Sequence, residues 1–135
     1  MRGKASVEAA AHKQIELFRP PYDDWNSTIN AIVRQQGMLS VDYTVDPRDW
    51  TLTTSSQVIA AVLSDRRLVP GAIVLLHETH LSTVKAVPAI VTALRRRGLK
   101  LVTIPTLLAQ DPPTLAQQEA DLRGRSCVHL FQHRH

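Results

Sequence analysis

Three short segments of this 135-residue chain carry side chains able to do acid–base and electrostatic chemistry. His77 ends the aliphatic run AIVLLH and opens His77-Glu78-Thr79-His80. Asp46 and Asp49 stand in VDPRDW, and Arg19 and Tyr22 flank two prolines in RPPY. Imidazole titrates near neutral pH, and a carboxylate beside it tunes and orients it for proton transfer. A guanidinium is a permanent donor fork. Proline fixes φ and drives the residue before it out of the helical region, so Pro20-Pro21 hold Arg19 and Tyr22 in stiff, extended or turned backbone. Each segment also has a plainer use. Asp46-Pro47 and Asp49 could make a turn and cap a helix, and His77 could be a satisfied strand-end histidine. The HETH histidines at i, i+3 have no third ligand at a recognisable spacing, so no self-contained metal site is expected there.

The elements that must position these groups follow from periodicity and capping. Asn26 and Ser27 start a helix with Ile29, Ile32 and Val33 on one face, and Gly37 ends it. Met38 to Thr44 reads as a strand leading into VDPRDW. Thr54 or Ser55 caps a second helix, with Val58, Ile59, Val62 and Leu63 inward. Pro70-Gly71 turns the chain into the strand Ala72 to His77. A third helix starts near Ser82, its buried stripe expected at Val84, Val87, Ile90, Val91 and Leu94, with Pro88 marking a bend or a late start. Gly98 stops it, and Leu99 to Ile104 reads as a third strand. Strand, helix, strand, helix, strand at this spacing predicts an α/β fold of parallel βα units. Ligands of such sheets gather beyond the carboxyl ends of the strands, where RPPYDDW, VDPRDW and HETH are expected to fall. Residues 1–17 are expected to form one N-terminal helix, residues 18–108 the α/β region, and residues 109–135 a loose tail with a short helix from Thr114 to Leu122.

Composition narrows the classes. Hydrophobic residues at 44% and charged residues at 21% fit one soluble globular domain. The net charge of +4 would permit an acidic partner. Its densest run, Arg95-Arg96-Arg97, closes a helix ahead of Gly98 and has no interleaved aromatics, so no nucleic acid is expected. The single cysteine, Cys127, excludes an internal disulfide framework. The amino-terminal residues lack the apolar core of a signal peptide, and no run is long enough to span a membrane. The chain is expected to be soluble, and its location stays open.

RPPY, then VDPRDW, then IVLLHETH with a following helix and LVTIPTLL, resembles the second half of the NodB-homology polysaccharide deacetylases, carbohydrate esterase family 4. The resemblance covers Phe18 to Leu108. It implies part of a distorted (β/α) barrel and a metal-dependent removal of acetyl groups from acetylated polysaccharides, with zinc or cobalt as the divalent metal. By that resemblance Arg19 pairs with a catalytic-base aspartate, and the Tyr22 backbone N–H stabilises the oxyanion. Asp49 favours the protonated imidazole of His77, which protonates the leaving group. Trp50 lines the groove, and Leu75 shapes the pocket for the acetyl methyl.

The family's aspartate pair, in a TFDDG-like strand end, and its HxxxH histidines belong upstream of RPPY. Neither stands there, and His12 is alone. Asp23 replaces the glycine that commonly follows RPPY, and HETH replaces a common HDxH. The resemblance thus implies a chain with the acid side of the site and without the metal-and-base side. Alone it is expected to be inactive and to bind no metal, to leave apolar surface uncovered, and to be a truncation or one part of a split barrel completed by another chain. A non-catalytic module binding glycans or a partner is the alternative.

Overall fold

The computed structural model describes residues 2–112. These fall into two compact units that divide between Asp42 and Tyr43. The expected short helix from Thr114 and the basic tail lie outside the described residues.

In the first unit, helix α1 spans Arg2–Ala11. It stops short of the expected residue 17. His12 takes a left-handed φ of 49°, and the Lys13 N–H reaches back to the Glu8 carbonyl at 3.4 Å. That closure is usually built on glycine, and with histidine at that position the stop was hidden. The Lys4 ammonium donates to the Gln36 carbonyl at 2.8 Å, meeting the carbonyl-rich end of the next helix. Strand β1, Leu17–Phe18, pairs in parallel with β2, Leu39–Ser40, Leu17 opposite Leu39. Between them helix α2, Ser27–Gln35, begins where the Asn26 side chain accepts the Ile29 N–H at 2.9 Å. It ends at Gly37, whose φ of 67° suits glycine, with Met38 N–H bonded to the Val33 carbonyl.

The second unit is built on two helices. In α3, Ser55–Leu63, Thr54, one of the two expected caps, caps the first turn, and Gln57 completes a capping box. Helix α4 spans Leu81–Arg96. It begins seven residues before Pro88, so the proline does not mark a late start, and Gly98 at φ 79° closes it. Val58 and Val62 of α3 pack with Ala86, Ile90 and Leu94 of α4 into the unit's core, and Val74 and Leu76 lie against it. Arg97 donates to the Leu63 carbonyl at the end of α3, a structural use of the arginine run. The expected strand from Ala72 is represented by a single parallel bridge, Val45 to Val74. Thr44 seals it, donating its hydroxyl to the Ile73 carbonyl and accepting the Ile73 N–H.

Two expectations need correction. Leu99 to Thr103 form no strand, and helix α5 takes over at Ile104–Gln110. A strand needs a partner, and no described segment pairs with this one. Leu101 and Val102 accordingly stay 47% and 42% exposed. The signal for α5 was present: Thr103 caps it and Pro105 sits in its first turn. Secondly, α4 is rotated from its most hydrophobic face. Val84 and Val87 are 49% and 39% exposed, whereas Thr83 and Ala86 are 2% and 0%. Urea unfolding reads this register directly. Val84→Ser should change stability by no more than about 0.5 kcal/mol, and Ile90→Ala should cost about 2–5 kcal/mol.

Candidate active site

VDPRDW folds into two successive turns that aim one carboxylate inward. Asp46 spends its Oδ1 on the Arg48 N–H at 2.8 Å, a local Asx turn, so the plainer reading holds for this residue. Arg48 adopts φ 51°, and its carbonyl accepts the Thr51 N–H and hydroxyl. A short 3₁₀ turn, Asp49–Thr51, follows and buries Asp49 to 0% exposure. Asp49 is no mere cap.

Three donors converge on that carboxylate. Its Oδ2 accepts the His77 backbone N–H at 2.8 Å and the Thr83 hydroxyl at 2.6 Å. Its Oδ1 lies 2.6 Å from His77 Nδ1. Burial alone would push the Asp49 carboxyl up. The Thr83 hydroxyl, the His77 N–H and the His77 ring together outweigh burial and hold it below the ordinary aspartate value. An ionised carboxylate only accepts, so His77 must present its Nδ1–H to Asp49, leaving Nε2 on the far side of the ring. The His77 side chain is 34% exposed, open enough to meet a substrate. This is the expected histidine–aspartate pair, and the sequence reasoning found both members.

The same unit holds Trp50 and Leu75. Trp50 is half exposed, with the Arg48 guanidinium 5.4 Å above its ring. Leu75 is half-buried, fixed by its N–H to the Val45 carbonyl at 2.9 Å.

Arg19 and Tyr22 lie in the first unit. Pro20 is buried, and the turn Pro21–Asp23 places Tyr22 at φ 60° and Asp23 at φ 56°. Asp23 stands where the resemblance puts glycine, at a φ that glycine tolerates best and aspartate better than most. Its carboxylate takes Arg19 Nη2 at 2.6 Å. Within this unit Arg19 is thus bonded to Asp23, four residues on, rather than to an upstream aspartate. The Tyr22 side chain is fully exposed.

Sequence reasoning missed Thr83. Its signal was a hydroxyl in the first turn of the helix after HETH, masked by the valines beside it. The described residues do not fit a metal: no three His, Cys, Asp or Glu side chains among them come together as ligands. No described helix is long and apolar enough to cross a membrane.

The lowered Asp49 value sets a pH dependence. Its stabilisation is complete above the ordinary aspartate value, about 3.9, and is lost as pH falls through the lower folded-state value. Urea unfolding between pH 7 and pH 2 should show the wild-type chain losing this contribution below about pH 4. Asp49→Asn should start about 2 kcal/mol lower at pH 7 and lack that acid step.

No family model matches the chain. It is 33% identical over 104 residues to a chitooligosaccharide deacetylase of a Bradyrhizobium species, covering 67% of this chain and 47% of the relative. Among solved structures, a family 4 carbohydrate esterase pseudoenzyme from Bacillus anthracis superposes with a TM-score of 0.72 at 30% identity, covering 78% of this chain and 36% of that one. A family 4 carbohydrate esterase from Streptomyces lividans, in complex with acetate, gives 0.69 at 29% identity, covering 76% and 52%. The chain spans about half the length of the chitooligosaccharide deacetylases it matches. With RPPY, VDPRDW and IVLLHETH in order and a buried aspartate gripping the histidine of the last, this chain belongs, as a fragment, to the NodB-type polysaccharide deacetylases of carbohydrate esterase family 4.

Proposed function

We propose that this chain supplies the proton-donating side of a carbohydrate deacetylase, acting on N- or O-acetyl groups of acetylated saccharides. The observation that supports it best is the 2.6 Å contact between His77 Nδ1 and the fully buried Asp49 carboxylate. Hydrolysis adds water to the acetyl carbonyl, and the tetrahedral intermediate then breaks its bond to the sugar nitrogen or oxygen. That atom leaves as an amine or alcohol only by taking up a proton. His77 Nε2 gives it, Nδ1–H stays on Asp49, and acetate departs. In this reading Trp50 stacks along the sugar and Leu75 faces the acetyl methyl; for Tyr22 and Arg19, in the first unit, the oxyanion role of the one and the pairing of the other with a catalytic base rest on the family resemblance alone. By the family resemblance, the parallel pairing within each unit would be part of a distorted barrel.

The relatives' reaction also needs an activated water. Its base and metal ligands, the TFDDG and HxxxH positions, do not stand upstream of RPPY in this sequence, and the described side chains do not replace them. In this reading the described residues account for saccharide contact and proton donation, and not for activation of the water.

Two measurements on the purified chain test this. Acetylated chitin oligomers should shift the NMR signals of Trp50, Leu75 and His77, and fully deacetylated oligomers should not; absence of any such shift overturns the assignment. Acetate release with added zinc or cobalt should stay at the blank. Metal-dependent release that vanishes in His77→Ala would show that the chain assembles a complete site.

A further inference from the structure

We propose that Thr83 is a positioning residue for the proton donor: its hydroxyl occupies Asp49 Oδ2, which turns Oδ1 onto the His77 ring. A carboxylate rotates easily about its last bond, so one contact to the imidazole does not fix which oxygen faces it or in what plane. Two anchors on the other oxygen do. The His77 N–H, 2.8 Å away, ties Oδ2 to the backbone of the histidine itself. The Thr83 hydroxyl, 2.6 Å away, ties it to the first turn of α4. Thr83 is 2% exposed and Asp49 0%, so no solvent competes for either group.

The side chain is chosen for its hydroxyl. Thr83 lies on the core face with Ala86, Ile90 and Leu94. An aliphatic residue of the same shape would serve packing equally well and would fit the apolar neighbours better. Instead the helix buries a threonine and leaves Val84 and Val87 in solvent. A buried hydroxyl without a partner costs about 1–3 kcal/mol, so this register is sensible only with the Asp49 contact made. The first turn also carries the positive end of the helix dipole, which favours an anion. Among the described side chains that act on the Asp49 carboxyl, His77 is the one other titratable group, Arg48 and Asp46 being turned into their own loop.

This deepens the reading of His77 as proton donor and rests on it for calling the pair catalytic; the geometry of Thr83 stands by itself. The consequence is a wider working range. With the hydroxyl in place Asp49 stays ionised to lower pH and keeps the imidazole in the orientation that presents Nε2. Without it, burial acts with less opposition, and the carboxylate gives way to the acid at higher pH.

The test follows the Asp49 carboxyl carbon by ¹³C NMR through a pH titration of the full chain, in wild type, Thr83→Val and Thr83→Ser, with urea unfolding in parallel. The Asp49 midpoint should move up towards an ordinary aspartate in Thr83→Val and remain at the wild-type position in Thr83→Ser. An unmoved midpoint in a folded Thr83→Val, even with stability lost, reduces Thr83 to packing and overturns the proposal. If Thr83→Val does not fold, Thr83→Ser decides: it removes only a methyl, so a displaced midpoint there shows that bulk rather than the hydroxyl sets Asp49. Failure of the chain to bind acetylated oligomers would remove the deacetylase reading and leave this result untouched.

Discussion

A single buried anion organises the second unit. Asp49 has no solvent to share its charge with, so the carboxylate can persist only where donors are brought to it. They come from 28 and 34 positions further along the chain, the first from the end of the aliphatic run and the second from the following helix. Satisfying the anion therefore fixes three things together: the turn that presents Asp49, the point where the run stops at His77, and the rotation of α4 about its axis. The hydrophobic contacts of Val58, Val62, Ile90 and Leu94 supply most of the cohesion. They do not choose among nearby registers of an aliphatic helix. The carboxylate does.

This division explains which features could be read from the sequence. Features set by neighbouring residues were legible. Asn26 and Thr54 cap the helices they should, and Gly37 and Gly98 end theirs, because the chemistry lies within one turn of chain. Features set by distant partners were not. Ranking α4 by hydrophobicity selects Val84 and Val87, since nothing near Thr83 shows that a carboxylate 34 positions away needs its hydroxyl. Leu99 to Thr103 has the composition of a strand and lacks a paired neighbour among the described residues. The end of α1 fell on His12, which takes a left-handed φ more readily than most side chains but far less often than the glycine that usually marks such a stop.

The site divides in the same way. His77 and Asp49 were found because both sit at ends of recognisable segments and because the order of motifs resembles a known family. Spacing alone left Asp46 and Asp49 both able to meet the histidine; the resemblance pointed to Asp49, and the turn around Arg48 has Asp46 spent on local backbone. For Arg19 the partner within its own unit was not foreseen: Asp23, at the position the resemblance gives to glycine, lies close enough to bond it. The pair and its third donor lie within 34 positions of one another, all inside the second unit.

By this geometry the chain alone holds His77 in one tautomer against an ionised Asp49. Long-range ¹H–¹⁵N correlation of the imidazole in the purified chain, at a pH where the ring is neutral, reads that tautomer directly. An ionised Asp49 requires the proton on Nδ1 and a bare Nε2, the arrangement that can pick up and deliver a proton on its outer side. A ring protonated at Nε2, or an even mixture of the two forms as in free histidine, would show that Asp49 does not hold it.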